Sequence, residues 1–120
     1  PKLRIEALKQ CKEAGLRTYV FLSPIFPYIT EIEEIVDLAN PYTDFFMFEN
    51  LNLRPTNLGK IRVFLEKNRP ELIPVYKELY SDKNHIYWNE LINRCKKVAE
   101  KYGKKAEIYF HDGGFKNGKE

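Results

Sequence analysis

Three short stretches of the 120-residue sequence place hydrogen-bonding residues directly after strongly apolar runs. They are Ser23-Pro24, Glu49-Asn50-Leu51-Asn52 and His111-Asp112-Gly113-Gly114. Glu49 is the strongest candidate for chemistry, because a carboxylate at the end of an apolar run needs a partner to offset its desolvation. It could accept hydrogen bonds from ribose hydroxyls or an amino group, while Asn50 offers both a donor and an acceptor.

Each stretch also has a purely structural interpretation. Arg54 or backbone amides could satisfy Glu49, and a serine such as Ser23 is common where a strand ends. His111 and Asp112 could form an acid–base pair, with the following glycines allowing the backbone to approach a phosphate. Glycine pairs also mark flexible segments, so the residues alone leave both interpretations open.

Alternating helices and strands position these stretches. A capping box at Thr30–Glu33 predicts the start of a helix that ends at Asn40-Pro41. Apolar periodicity predicts the other helices over residues 2–14, 57–68, 71–80 and 85–102. Runs rich in aromatic and β-branched residues predict strands over residues 17–23, 44–50 and 106–110, the first of them closed by Pro24.

The element order, α-β-α-β-α-α-α-β, predicts an α/β fold of three parallel strands with covering helices. The strands are apolar on both faces, which indicates a covering layer on each side, and the helices can supply one of them. We therefore expect a fragment of a partial (β/α) barrel over residues 1–112, followed by a flexible tail at 113–120. Ligands meet the carboxyl ends of parallel strands, so the three polar stretches should share one rim.

Composition excludes several classes of protein. Hydrophobic residues make up 43% and charged residues 31% of the chain, which is typical of a folded domain and not of a disordered one. The net charge of +3 is too small to indicate a nucleic-acid-binding protein without a concentrated patch. No apolar run approaches the ~20 residues of a membrane span, and the start at Pro1 carries no signal-peptide pattern. We expect a cytoplasmic domain without a membrane partner.

Cysteine usage and motifs narrow the chemistry further. Cys11 and Cys95 both fall in helical patterns, which predicts reduced, small core residues and no metal site. The sequence holds no GxSxG, P-loop, HExxH or GxGxxG motif, so nothing indicates a self-sufficient hydrolase, kinase or dehydrogenase. The alternative is a small interaction or nucleic-acid-binding module that uses a basic helix face, formed by Lys96, Lys97, Lys101, Lys104 and Lys105.

Two segments resemble radical S-adenosylmethionine enzymes. Residues 4–30, RIEALKQCKEAGLRTYVFLSPIFPYIT, are similar to the RxxALxxLxxAGIxT…SPILPxITD stretch of that family. Residues 46–54, FMFENLNLR, resemble the next strand in the subgroup related to spore photoproduct lyase. Tyr28-Ile-Thr-Glu31 stands where the family more often has Gly-Ile-Thr-Asp.

The resemblance implies the carboxyl-terminal half of a partial (β/α)6 barrel, whose partner would be the missing amino-terminal half. Its cofactors would be S-adenosylmethionine and a four-iron four-sulfur cluster, with a lyase-like reaction in the parent enzyme. The resemblance places Ser23, Pro24, Glu49, Asn50 and Asn52 near the cofactor, and we place Arg54, His111 and Asp112 on the substrate side. The CxxxCxxC motif and the Gly-Gly-Glu strand are absent, so this chain alone should hold no cluster and should be inactive. Its exposed inner barrel face should favour self-association.

Overall fold

The computed structural model describes residues 2–81, 85–112 and 116–117. Its longer elements are α1 (Lys2–Glu13), β1 (Tyr19–Ile25), α2 (Ile32–Ala39), β2 (Phe45–Asn50), α3 (Pro55–Asn68), α4 (Ile73–Leu79), α5 (His85–Glu100) and β3 (Lys105–Ile108). Short 3₁₀ turns at Asn40–Tyr42 and Pro70–Leu72 precede β2 and α4. Two further short strands, β4 (His111–Asp112) and β5 (Lys116–Asn117), pair antiparallel.

The central sheet is parallel and its strand order, β1-β2-β3, follows the chain. Tyr19 lies opposite Phe45, and Phe45 lies opposite Lys105, so the three strands begin at the same level. The α/β fold with three parallel strands is therefore confirmed. Right-handed crossovers that all advance in one direction place their helices on the same face of a sheet. Within the described part of the chain, the helices therefore cover one face of the sheet and leave the other face without a helical layer.

Burial alternates along the strands as that topology requires. Phe46 and Phe48 of β2 are fully buried, while their neighbours Phe45 and Met47 are only partly buried. The covered face packs against Val36 of α2 and against buried residues of α5. The α5 residues are Leu91, Cys95, Val98 and Ala99. Truncating a fully buried phenylalanine to alanine typically costs about 3–5 kcal/mol, so this layer contributes a large part of the stability.

The opposite face carries exposed aromatic side chains. Tyr19, Phe21 and Tyr109 are 54%, 46% and 48% exposed. The rings of Tyr19 and Phe45 stack with their centroids 5.4 Å apart, and those of Phe21 and Tyr109 meet edge to face at 6.3 Å. We call this surface, formed by Tyr19, Phe21, Phe45, Met47 and Tyr109, the open sheet face. Its exposure agrees with the expectation that the helices of the chain supply only one covering layer.

The start of α2 differs from the expectation. Thr30 does not cap α2, which begins at Ile32, because its hydroxyl accepts a hydrogen bond from the backbone N–H of Phe26 at 2.8 Å. The predicted Thr30–Glu33 capping box is therefore wrong, and Thr30 stabilises the preceding turn instead.

Three other features also differ. Pro24 does not close β1, which continues to Ile25 across a cis Ser23–Pro24 peptide bond. An edge strand tolerates proline because one side of its backbone forms no ladder. Cys11 is exposed, so of the two cysteines Cys95 alone is a core residue. The predicted tail at 113–120 lies largely outside the described residues, although Lys116–Asn117 forms β5.

Candidate functional site

The carboxylate of Glu49 joins the ends of all three parallel strands. The Ser23 hydroxyl, at the end of β1, donates a hydrogen bond to Glu49 Oε1. His111 Nε2, which follows β3, lies 2.8 Å from Glu49 Oε2. Alternate residues of a strand point to the same face of the sheet, so Ser23 shares a face with Tyr19 and Phe21. Glu49 shares that face with Phe45 and Met47. The trio therefore lies at the rim of the open sheet face. The structure thus brings together three residues that the sequence placed at separate strand ends.

Asn50 lies on the opposite side of the same strand. It is 1% exposed, and its side chain forms both of its hydrogen bonds with the backbone of His111. Its Oδ1 accepts from the His111 N–H at 2.9 Å, and its Nδ2 donates to the His111 carbonyl at 3.3 Å. In this structure Asn50 is a positioning residue, because it fastens the chain after β3 to the end of β2.

The Glu49 carboxylate is held ionised. Desolvation by burial acts to raise its pKa, but the hydrogen bonds from Ser23 and His111, and the charges of His111 and Arg54, outweigh it. The pKa of Glu49 is consequently below its ordinary value of 4.5. About 30% of the side chain is exposed, so the carboxylate can also accept hydrogen bonds from a ligand at the rim.

The imidazole of His111 has a defined orientation. Its side chain is 11% exposed, and Nε2 faces the ionised Glu49 carboxylate. Its Nδ1 is buried and has no partner among the described residues. The Ser23 hydroxyl is bound to the carboxylate and not to the imidazole, so the trio is not a nucleophilic Ser-His-Glu triad. The arrangement suits binding and orientation of a polar ligand.

The other sequence-predicted residues follow the members of this trio along the chain. Pro24 is exposed beside Ser23, and the backbone carbonyl of Asn52 accepts a hydrogen bond from the Asn57 side chain at 3.0 Å. Arg54 precedes α3 and donates its backbone N–H to Asn57 Oδ1 at 2.8 Å, while its charge lowers the pKa of Glu49. The backbone of Asp112 belongs to β4, but its side chain and the residues 113–114 lie outside the described part of the chain.

Two tyrosines support the loops behind the rim. The buried Tyr76 hydroxyl donates to the carbonyl of Pro27 at 2.7 Å, and the buried Tyr80 hydroxyl donates to the carbonyl of Leu51 at 2.7 Å. Burial raises the pKa of both phenols, so they act as permanent donors. Both residues lie within the helix that the sequence predicts over residues 71–80. The signal was tyrosine instead of phenylalanine at buried helix positions, since a buried hydroxyl needs a partner.

Some lysines of the basic run, which the sequence offers as an interaction or nucleic-acid-binding surface, form contacts within the protein. Lys104 donates to the carbonyls of Asn40 and Thr43, and Lys105 Nζ lies 3.3 Å from a Glu107 carboxylate oxygen. Lys101 Nζ lies 3.8 Å from a carboxylate oxygen of Asp37. Lys96 and Lys97 are exposed on α5. Lys104 is thereby bound to the main chain, whereas the exposed ion pairs of Lys101 and Lys105 neutralise little of their charge, so a nucleic-acid-binding surface stays a prediction.

Within residues 2–81, 85–112 and 116–117, no group of three or more histidine, cysteine, aspartate or glutamate side chains could hold a metal ion. Cys11 is exposed on α1, whereas Cys95 is buried in α5, where desolvation raises the pKa of its thiol to about 12. The described residues therefore do not fit an iron–sulfur cluster. In the same part of the chain, no helix is long and apolar enough to cross a membrane.

Comparison with known proteins finds relatives that are named as uncharacterized proteins. The chain is 37% identical over 94 residues to the uncharacterized protein MJ0683 of Methanocaldococcus jannaschii. The matched segment covers 78% of this chain and 35% of that protein. It is 30% identical over 86 residues to the uncharacterized protein Rv2578c of Mycobacterium tuberculosis, covering 67% of this chain and 25% of that protein. The chain thus spans about a third or less of these relatives. No protein-family model and no solved structure matches it.

Proposed function

We propose that this chain forms the carboxyl-terminal part of a radical S-adenosylmethionine enzyme's (β/α) barrel, in the subgroup related to spore photoproduct lyase. Its rim would bind the nucleoside portion of S-adenosylmethionine or the adjoining part of the substrate. The observation that carries this proposal is the Ser23–Glu49–His111 trio at the carboxyl ends of three successive parallel strands. Parallel α/β folds bind ligands at this end of the sheet.

Two further observations support the proposal. The strand order follows the chain without reversal, as in a barrel. The open sheet face carries aromatic side chains, as expected for a face that would lie inside the barrel once further strands closed it. Relatives about three times longer than the matched segment would have room for those strands. The sequence resemblance over residues 4–30 and 46–54 supplies the choice of enzyme family.

In this proposal the rim residues would bind the nucleoside, whereas the histidine, cysteine and carboxylate side chains of the described residues do not fit the cluster. In this proposal the ionised Glu49 accepts hydrogen bonds from sugar hydroxyls, and Ser23 and His111 hold its two oxygens in place. When bound, S-adenosylmethionine supplies the organic radical that enzymes of this family use. The role of this chain is to orient the nucleoside, and Asn50 keeps His111 in register through its backbone.

The test is binding of 5′-deoxyadenosine to the full 120-residue chain, followed by amide shifts in ¹H–¹⁵N NMR spectra. A rim that supplies only part of a site should bind weakly, with a Kd on the order of 1 mM. Shifts should concentrate at Ser23, Glu49 and His111. Glu49→Gln removes the charge but keeps the shape, and it should weaken binding about tenfold because the acceptor becomes neutral.

Glu107→Gln is the matched control, since Glu107 precedes the rim on β3 and pairs with Tyr109 and Lys105. Binding that is unaffected by Glu49→Gln, or equally affected by Glu107→Gln, would overturn the assignment of the rim. Reconstitution with iron and sulfide should give no cluster absorbance and no cleavage of S-adenosylmethionine. Turnover by this chain alone would contradict its assignment as a partial barrel.

A further inference from the structure

A concave surface lies between α3 and α4. This α3–α4 groove has a volume of about 550 Å³, within the range of small-molecule sites. Its walls and floor are apolar, formed mainly by Leu58, Ile61, Leu65, Ile73, Tyr76 and Tyr80. Ile61, Leu65 and both tyrosines are nearly fully buried, whereas Leu58 is 52% exposed at the mouth. The groove is therefore a recess with a closed floor, and not a flat apolar patch.

The charges around this recess have one sign. Its charged lining residues are Arg54 and Arg62 on one side and Lys77 of α4 on the other, and the described lining includes no carboxylate. Arg62 Nε lies 3.3 Å from Glu66 one turn along α3, but both side chains are more than half exposed, so this pair neutralises little. Lys77 has no ion-pair partner among the described residues. An apolar recess with a cationic rim matches a ligand that has an apolar body and an anionic end.

We propose that the α3–α4 groove binds a small amphipathic carboxylate with an unbranched alkyl chain. The chain lies on the apolar floor, and the carboxylate meets the cations at the mouth, foremost Lys77. The groove is built on the helical layer between β2 and β3, whereas the Ser23–Glu49–His111 trio lies on the open sheet face. The inference does not rest on the proposed function, although Arg54 lines the groove and its charge also acts on Glu49.

The test is titration of the full chain with decanoate below its micellar concentration, followed by amide shifts in ¹H–¹⁵N NMR spectra. We expect saturable shifts at Leu58, Ile61, Ile73 and Lys77. Decanol, which keeps the alkyl chain and lacks the charge, should bind about fivefold to tenfold more weakly, because one charge-assisted contact is lost.

Two pairs of variants locate the site. Lys77→Glu should weaken decanoate about tenfold and leave decanol unchanged, whereas Lys67→Glu, an equal charge change on α3 outside the groove, should alter neither by more than about twofold. Leu58→Gln should weaken both ligands, and Val63→Gln, at a similarly exposed α3 position outside the groove, should not. Circular dichroism checks that each variant folds.

Several outcomes would overturn the proposal. Equal affinity for decanoate and decanol, or insensitivity to Lys77→Glu, would remove the role of the cationic rim. Shifts confined to Tyr19, Phe21 and Met47 would place the ligand on the open sheet face. Binding of an acidic amphipathic peptide without binding of decanoate would assign the groove to a protein partner.

Discussion

Replacement of Asn50 by alanine tests how the rim is assembled. The substitution removes the hydrogen bond from the His111 N–H to Oδ1, 2.9 Å long, and the weaker one from Nδ2 to the His111 carbonyl, 3.3 Å long. Each such bond contributes about 0.5–1.5 kcal/mol net. Asn50 is 1% exposed, so the backbone groups of His111 lose their partners where water has little access. Asn50→Ala should therefore lower the free energy of unfolding by about 2–3 kcal/mol, and Tm by about 6–12 °C.

Urea denaturation followed by circular dichroism measures this loss, and the m value should stay unchanged. Since Asn50 holds His111 next to Glu49, the same variant should raise the pKa of Glu49 toward its ordinary value of 4.5, measured by NMR titration of the side-chain carboxyl. The exposed Asn68, which donates to the Phe64 carbonyl within α3, provides the control, and Asn68→Ala should cost less than about 0.5 kcal/mol. A loss at Asn50 no larger than at Asn68, or an unchanged pKa of Glu49, would refute the positioning role.

Three further predictions concern the site and its supports. The pKa of Glu49 is lowered on folding, so the ionised carboxylate stabilises the fold above pH 4.5, and this stabilisation is lost as the pH falls through the pKa of Glu49 in the folded protein. The difference in unfolding free energy between the wild type and Glu49→Gln should therefore shrink below pH 4.5, and a constant difference would contradict this. Tyr80→Phe leaves the Leu51 carbonyl without its donor and should cost about 1–2 kcal/mol in urea denaturation, whereas a loss below about 0.3 kcal/mol would show that the hydroxyl is dispensable. The chain should self-associate through the open sheet face, where Phe21 is exposed. Phe21→Lys should shift sedimentation profiles toward the monomer at high protein concentration, and the control Lys60→Ala should not. A wild-type chain that is monomeric at every concentration would contradict the interface.

The order of the elements and the position of the rim were predictable from the sequence. Apolar runs separated by helical periodicity imply parallel strands, and the change from apolar to polar residues at Glu49 and at His111 marks the rim, although β3 itself ends at Ile108. What the pattern could not supply was the pairing across the rim. Ser23 and Glu49 lie 26 positions apart, and Glu49 and His111 lie 62 apart, so only the strand register decides that their side chains meet.

Other differences arise where two local signals compete. Asn50 follows Glu49 directly, and consecutive strand residues point to opposite faces, so the two could not both line one rim. Their shared hydrogen-bonding chemistry groups them in the sequence, whereas the alternation of the strand separates their side chains. The Thr30 hydroxyl could accept a hydrogen bond from the first turn of the following helix or from the preceding turn, and in the structure it accepts from the backbone N–H of Phe26. Pro24 remained in a strand because β1 is paired on one side only.

The strand order limits where a ligand can bind this sheet. A doubly wound sheet reverses its order and binds ligands in the crevice at the reversal, between helices on opposite faces. The order β1-β2-β3 has no reversal, so the described sheet has no such crevice. A polar ligand must then approach the carboxyl ends of the strands from the open sheet face. The side chains of Ser23 and Glu49 project from that face, while Asn50 is sealed beneath the helices. The topology therefore leaves Glu49, and not Asn50, as the acceptor that a ligand reaches first.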